Sequence, residues 1–415
     1  MNIEEIGQKA RSAAKRLALL STKEKNGALE MMADSLEESA EAVIKENLKD
    51  TDTARQNGLS DAMIDRLVLN RDRIGGIADG IRQIAGLPDP VGHIYEETVR
   101  PNGLKVSRIS IPIGVIGIIY EARPNVTADT AALCLKSGNA VVLRGGKEAF
   151  HSNNAIASLL SAALEKKGIT PDAIQFIRTT DREAVLKMLK LNNYIDVIIP
   201  RGGPGLIKFV SENSTIPVIK HDAGVCHVYI DESAAFERAR DIAVNSKVQR
   251  PGVCNAAETL LVHSAWSQNL PALLAAFAAE GVELRGCKKT RELYPAAKPA
   301  EEEDWRTEYL SLTLAVKVVD SMDEAIEHIE RYGSHHTDAI VTESRENGDR
   351  FLREVDSSAV MVNASTRFND GGQFGLGAEM GISTQKLHAR GPMGLRELTT
   401  YKYMVVGQGQ VRSQP

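Results

Sequence analysis

The chain has 415 residues, 43% hydrophobic and 25% charged, and its 50 Lys and Arg against 55 Asp and Glu leave a formal charge of −5 at pH 7. This composition excludes disordered, collagen-like and coiled-coil chains, and its mildly acidic balance gives no support to nucleic-acid binding, which shows as a basic excess. At roughly 150 residues per domain the length predicts two or three domains, each able to bury its own core.

From Met1 to about Ile84 apolar residues recur every three and four positions, as in Leu29, Met32 and Leu36, which predicts a helical leader. Glu4 and Glu5 at the start, and a Leu17 to Leu20 run too short for a signal-peptide core, point to a cytoplasmic protein. Residues 91–108 alternate as an extended segment or a projecting hairpin arm. The apolar stretch from Ile109 to Tyr120 is broken by Ser110, Pro112, Gly114 and Gly117. It falls well short of the ~20 residues of a bilayer span, so no membrane association is expected.

A strand-then-helix rhythm follows. Short β-branched runs at Val115 to Ile119, Ala140 to Leu143, Ile174 to Ile177 and Ile195 to Ile199 alternate with helical segments at Thr127 to Ser137, Ser152 to Lys167 and Asp181 to Leu191. Near-continuous apolar strands between helices predict a parallel sheet covered on both faces. A second such series begins near Cys226, with strands at 227–230, 259–262 and 312–319 and helices at 233–246, 264–279 and 322–330. The domain boundary and a ligand cleft are expected at the join, Lys220-His221-Asp222-Ala223-Gly224. Thr399 to Val406 alternates as one more strand.

Four cysteines, Cys134, Cys226, Cys254 and Cys287, are spaced too widely for a zinc ribbon or a disulfide framework. Cys254 alone follows a Pro-Gly turn beside a basic residue, Gln249-Arg250-Pro251-Gly252-Val253-Cys254. A turn holds a side chain in place and a cation favours the thiolate, the nucleophilic form. An unassisted thiol is only about 3% ionised at pH 7, so a cation, a cofactor or oriented amides must assist. Cys134 and Cys226 read as packing residues, and Cys287 has basic neighbours but no ordered turn. His335-His336 diverge as adjacent residues and lack a carboxylate at matching spacing, so no metal is expected.

The segments Pro112-Ile113-Gly114-Val115-Ile116-Gly117-Ile118-Ile119-Tyr120-Glu121-Ala122-Arg123-Pro124-Asn125 and Leu143-Arg144-Gly145-Gly146-Lys147-Glu148-Ala149, with the cysteine segment, resemble the aldehyde dehydrogenase superfamily. Residues 319–340, with Tyr332-Gly333-Ser334, and 380–392, with Lys386-Leu387-His388-Ala389-Arg390, are similar to the gamma-glutamyl phosphate reductase family within it. The resemblance implies an aldehyde-dehydrogenase-like α/β fold of two doubly wound parallel-sheet domains. These would be an NADP-binding domain of residues 1–90 and 112–224, a catalytic domain of 225–390, and an oligomerisation arm of 91–111 and 391–415.

It also implies reduction of L-glutamate 5-phosphate by NADPH to L-glutamate 5-semialdehyde and phosphate, the second step of proline biosynthesis. Cys254 would displace phosphate to give a thioester, and Asn125, with the Cys254 amide, would hold the oxyanion; Asn125 reads otherwise as a helix N-cap. His221 stands nearest the position of the superfamily's hydrolytic glutamate, as a base or as a structural histidine. Arg144 and Lys147 would contact the adenosine ribose, Lys147 favouring a 2′-phosphate and so NADP; the other reading is a solvated basic loop. Gly202 and Gly203 open a helix after a strand, a natural anion site or simply a turn, and Glu308 matches the glutamate of the nicotinamide ribose. Arg250, Arg367 and Arg390 are the candidate ligands for the anionic substrate. The implied partners are that small molecule and further copies of the chain, with association to glutamate 5-kinase left open. Two rivals are a hydrolytic semialdehyde dehydrogenase and a non-catalytic protein of the same fold.

Overall fold

Side-chain caps set where the first helices begin in the structure, a computed structural model that describes residues 2–412. Met1 of the leader and residues 413–415 of the expected arm lie outside the described residues. Asn2 accepts the amides of Glu4 and Glu5 to open α1 (Ile3–Leu17), and a capping box of Ser21 and Glu24 opens α2 (Thr22–Glu38). α3 (Ala40–Gln56), α4 (Asp61–Leu67) and α5 (Arg71–Gly86) complete the helical leader. Leu29, Met32 and Leu36 on α2 and Ile74, Ala78 and Ile81 on α5 are buried as the two helices pack together.

The extended segment is a hairpin of β1 (Ile94–Val99) and β2 (Lys105–Pro112), turning at Gly103 with a φ of 85° that suits glycine. Four strands alternate with helices after it: β3 (Val115–Tyr120), α6 (Asn125–Lys136), β4 (Ala140–Gly145), α7 (Phe150–Lys166), β5 (Ile174–Phe176), α8 (Arg182–Met188), β6 (Val197–Arg201) and α9 (Pro204–Asn213). They form a parallel sheet in the order β5-β4-β3-β6. Every residue of β3 and β4 is buried, as a sheet covered on both faces requires.

The second series comprises β7 (Cys226–Ile230), α10 (Phe236–Val248), β8 (Ala257–His263), α11 (Leu270–Ala279), β9 (Glu283–Gly286), α12 (Lys288–Leu293), β10 (Lys298–Pro299), β11 (Thr313–Val319), α13 (Met322–Tyr332), β12 (Thr337–Val341), α14 (Arg345–Glu354) and β13 (Ala359–Val362). Its sheet is parallel, in the order β10-β9-β11-β8-β7-β12-β13. A short antiparallel pair, β14 (Ile382–Ser383) and β15 (Gly391–Pro392), follows. The last strand, β16 (Thr399–Val406), lies antiparallel on β2 and makes the hairpin a three-stranded sheet.

The architecture is thus the expected α/β class, with differences of detail. The helix expected at 264–279 is split: Ser264–Asn269 is a 3₁₀ segment and the α-helix begins only at Leu270, with Pro271 in its first turn. Strands β9, β10, β12 and β13 were not apparent, being only two to five residues long or opening on polar residues such as Thr337 and Asp338. Contacts divide the chain into two compact units. One runs to Lys220 and takes in Leu376–Gly381 and the segment from Met393; the other is His221–Gly375 with Ile382–Pro392. Among the described residues no helix is long and apolar enough to cross a membrane.

The second unit's core is built round Val228, Leu260, Leu273, Leu274, Phe277 and Val316. Phe277 is fully buried, so Phe277→Ala is expected to cost about 3–5 kcal/mol, read as a fall in the denaturant midpoint at unchanged slope; no change would show that the cavity collapses.

Candidate functional site

In the first unit the candidate residues gather at the carboxyl ends of the parallel strands. From β3 the chain builds outward through β4 to β5 and returns on the other side as β6, so the strand order reverses between β3 and β6, where nucleotides bind in open sheets. Glu121 follows β3, and its amide donates to the Arg201 carbonyl at the end of β6. The Glu121 carboxylate turns back onto the start of α9 and accepts the Gly203 amide at 2.9 Å. A Cβ on Gly202 would lie 2.6 Å from the Glu121 carboxyl carbon, so a side chain there would push that carboxylate off the helix start. The start of α9, the expected anion site, is thus occupied by an internal carboxylate.

At the end of β4 Arg144 is buried, donating to the carbonyls of Gly145 at 2.8 Å and Thr180 at 3.0 Å, while its Nε has no partner. Burial lowers its pKa below the ordinary arginine value. Lys147, one turn on, is exposed. Asn125 is the first residue of α6 and not its cap, a position taken by Pro124 without a side-chain bond. Its Nδ2 donates to Asp129 at 2.9 Å, and Asp129 is pushed up to about 6 by burial. One of the two amide hydrogens of Asn125 thus orients the side chain.

In the second unit the residues gather at the amino ends of the strands. Cys254 is half-buried in the turn between α10 and β8. In the chain it follows α10, which ends at Val248, six residues before the cysteine. Arg250 is exposed beside it. Arg367 donates to Gln249 at 2.9 Å and to Asn255. Burial and then repulsion from Arg250 hold Arg367 below the usual arginine range, while attraction to Asp370 and to Cys254 works the other way. Two guanidinium groups therefore act on the cysteine turn.

Beneath the turn, a Cβ on Gly224 would overlap the carbonyl and Cα of Cys254. That carbonyl accepts the Cys226 thiol at 3.1 Å, and Cys226 lies 3.7 Å from His336 Nδ1. Burial raises the Cys226 thiol well above its usual value and drops His336 to about 3, keeping both neutral. His221 is half-buried, its ring edge-on to His336 at 5.7 Å. The Gly224 amide donates to Glu308 at 3.0 Å, and burial raises the Glu308 pKa. Cys254, Arg250, Arg367 and Glu308 are brought together round this turn. Arg390 is not tied to it by any of these bonds: it donates to the side chain and carbonyl of Asp356, at 2.7 and 3.0 Å. Lys386 first and Arg390 second hold Asp356 down to about 2.

The sequence reading missed the supports of this turn. Cys226 was read as packing alone, and Gly224 carries no motif of its own. Among the described residues no group of three or more His, Cys, Asp or Glu is placed to hold a metal ion.

Two α/β units, with a cysteine on a turn of the second and nucleotide-site features at strand ends of the first, define the aldehyde dehydrogenase class. The model of the aldehyde dehydrogenase family matches residues 1–286. The chain is 57% identical over 413 residues to a gamma-glutamyl phosphate reductase of Caldanaerobacter subterraneus subsp. tengcongensis, covering 99% of this chain and 100% of that one. The crystal structure of a gamma-glutamyl phosphate reductase from Thermotoga maritima matches with a TM-score of 0.98 and 48% identity over 100% of both chains. An acetylating aldehyde dehydrogenase from Geobacillus thermoglucosidasius shares the fold, with a TM-score of 0.70, 20% identity and 99% and 98% coverage. The chain belongs to the gamma-glutamyl phosphate reductase family of aldehyde dehydrogenases.

Because the 224 and 254 backbones leave no room for a methyl group, Gly224→Ala is expected to cost about 1–3 kcal/mol and to alter the rate at which iodoacetamide alkylates Cys254. An unchanged melting point and unchanged rate would show that the turn does not depend on this contact.

Proposed function

We propose that the protein reduces L-glutamate 5-phosphate to L-glutamate 5-semialdehyde and phosphate with NADPH, the second step of proline biosynthesis. What carries this reading is the end-to-end relation to gamma-glutamyl phosphate reductases, with Cys254 set on a turn beside two arginines. The thiolate of Cys254 attacks the acyl carbon, the carbon–oxygen bond to phosphate breaks, and a thioester forms. Arg250 and Arg367 balance the charge of the departing phosphate. Arg390, whose Nε has no partner, is assigned to the substrate carboxylate. Asn125 and the Cys254 amide are assigned to the oxyanion by their positions in the family motifs.

The first unit's residues suit a phosphate-bearing nucleotide: the exposed Lys147 ammonium and the unsatisfied Arg144 Nε, with the start of α9 open to an anion once the Glu121 carboxylate gives up the Gly203 amide. Bound there, NADPH supplies the hydride that takes the thioester to the aldehyde level. Lys147 is assigned to the 2′-phosphate, Gly202 and Gly203 to the diphosphate, and Glu308 to the nicotinamide ribose. The position where hydrolytic relatives carry a glutamate holds His221, which favours a thioester met by hydride or phosphate over one met by water.

The arm leaves Ile94, Tyr95, Val99, Tyr401, Tyr403, Val405 and Val406 exposed. An apolar antiparallel sheet with open edges suits a second copy of the chain, so a cytoplasmic homo-oligomer belongs to the same reading. So does hand-over of the labile acyl phosphate from glutamate 5-kinase.

In the reverse direction, NADP reduction by glutamate semialdehyde is expected to require inorganic phosphate, and Cys254→Ala to abolish it while NADPH binding survives. Turnover without phosphate would establish the hydrolytic rival, and activity retained without the thiol would exclude the thioester route. Lys147→Glu is expected to lower the NADPH/NADH preference about tenfold, or 1.4 kcal/mol; a constant ratio of kcat/KM would remove this lysine from the 2′-phosphate.

A further inference from the structure

Beside the cysteine turn lies an ion pair that none of these steps uses. Lys247, in the last turn of α10, and Glu258, in β8, are fully buried, with Nζ 2.5 Å from Glu258 Oε2. Glu258 interrupts the otherwise uncharged run Ala257-Glu258-Thr259-Leu260-Leu261-Val262. Burial raises Glu258 to about 7 and lowers Lys247, against the attraction between them. A buried pair in which desolvation outweighs attraction is a poor source of stability, which turns attention to what the two groups hold.

Both ends bear on residues 308–310. The second oxygen of Glu258 accepts the Leu310 amide at 3.2 Å, and Leu310 has a φ of 53°, a left-handed conformation that a leucine keeps only when its surroundings impose it. The Lys247 ammonium lies 5.9 Å from the centre of the Tyr309 ring, with the Arg285 guanidinium 5.3 Å from the same centre. The Tyr309 hydroxyl donates to Asp304 at 2.8 Å, which also accepts Arg285 at 2.7 Å. Glu308 itself accepts the Gly224 amide. Three consecutive residues are thus each held by a different partner, and the pair contributes to two of the three.

We propose that Lys247 and Glu258 are a positioning pair for the cofactor: they hold the 308–310 turn in its left-handed form, so that the Glu308 carboxylate is presented to a nicotinamide ribose in one orientation. The assignment rests on the role given to Glu308 in the proposed function. The pair touches neither substrate nor cofactor and acts through the Leu310 amide and the Tyr309 ring.

The test compares two double variants that leave no buried charge unpaired. Lys247→Met with Glu258→Gln keeps an acceptor for the Leu310 amide; Lys247→Met with Glu258→Leu removes it. NADPH affinity is read by fluorescence titration, KM and kcat in the forward assay, the isotope effect with NADPH deuterated at C4, and the Cys254 alkylation rate. The leucine form is expected to bind NADPH about tenfold more weakly, to show a larger isotope effect and to alkylate at the wild-type rate. The glutamine form is expected to stay within about threefold of wild type. Equal NADPH affinity in the leucine form and the wild type overturns the proposal, as does equal loss in both variants, or loss of alkylation in step with affinity, since those mark general support of the fold. If the leucine form does not fold, Tyr309→Leu is compared with Tyr309→Phe: both lose the hydroxyl bond to Asp304 and only the leucine loses the ring that faces Lys247, so equal NADPH affinity in the two overturns the proposal. A wild-type enzyme lacking phosphate-dependent turnover would fail the functional reading instead, while the titration would still report on the pair.

Discussion

The close approach of the Gly224 backbone to the Cys254 carbonyl is the contact on which the cysteine turn depends. With no side chain at 224, the strand leading into β7 lies directly against the cysteine turn. The same carbonyl takes the Cys226 thiol from below, and the Gly224 amide takes Glu308 from the side. A single backbone meeting therefore ties together the cysteine turn, the start of a central strand and the glutamate assigned to the ribose. Packing of this kind is steric and short-ranged, so it locates a nucleophile to within the tolerance of a chemical step better than long flexible side chains can.

Electrostatics in each unit follow from where charge is allowed to be buried. The overall charge of −5 conceals two guanidinium groups at the cysteine turn, one of them held below its usual range by burial and by its neighbour. In the first unit an internal carboxylate, Glu121, occupies the amide at the start of α9. Asp129, raised by burial, holds Asn125 through one hydrogen.

Legibility followed the range of the interaction. The helical leader, the strands with all-apolar sides and the final strand were legible because their patterns are local and repeat with the period of the element. The flanking strands of the second sheet were not: β12 begins Thr337-Asp338, and Asp338 is buried with His227 and Ser357 bonded to it from distant positions. Cys254 was legible from the Pro-Gly turn and Arg250. Cys226 is buried as its apolar context suggests, but the hydrogen bond from its thiol to the Cys254 carbonyl joins residues 28 apart and left no local signal.

By itself the sequence determined the α/β class, the absence of a membrane-spanning apolar run and the family, and it singled out Cys254 as the candidate among four cysteines, all from neighbouring residues. Only the tertiary structure decided that Asn125 heads a helix and is oriented by Asp129, that Glu121 sits on the α9 amide, and that Arg390 is bound to Asp356. It alone paired Lys247 with Glu258 and both with the turn bearing Glu308. Those are relations between segments far apart in the chain, and which buried charge meets which is set by how strands and helices pack, for which a linear pattern carries no signal.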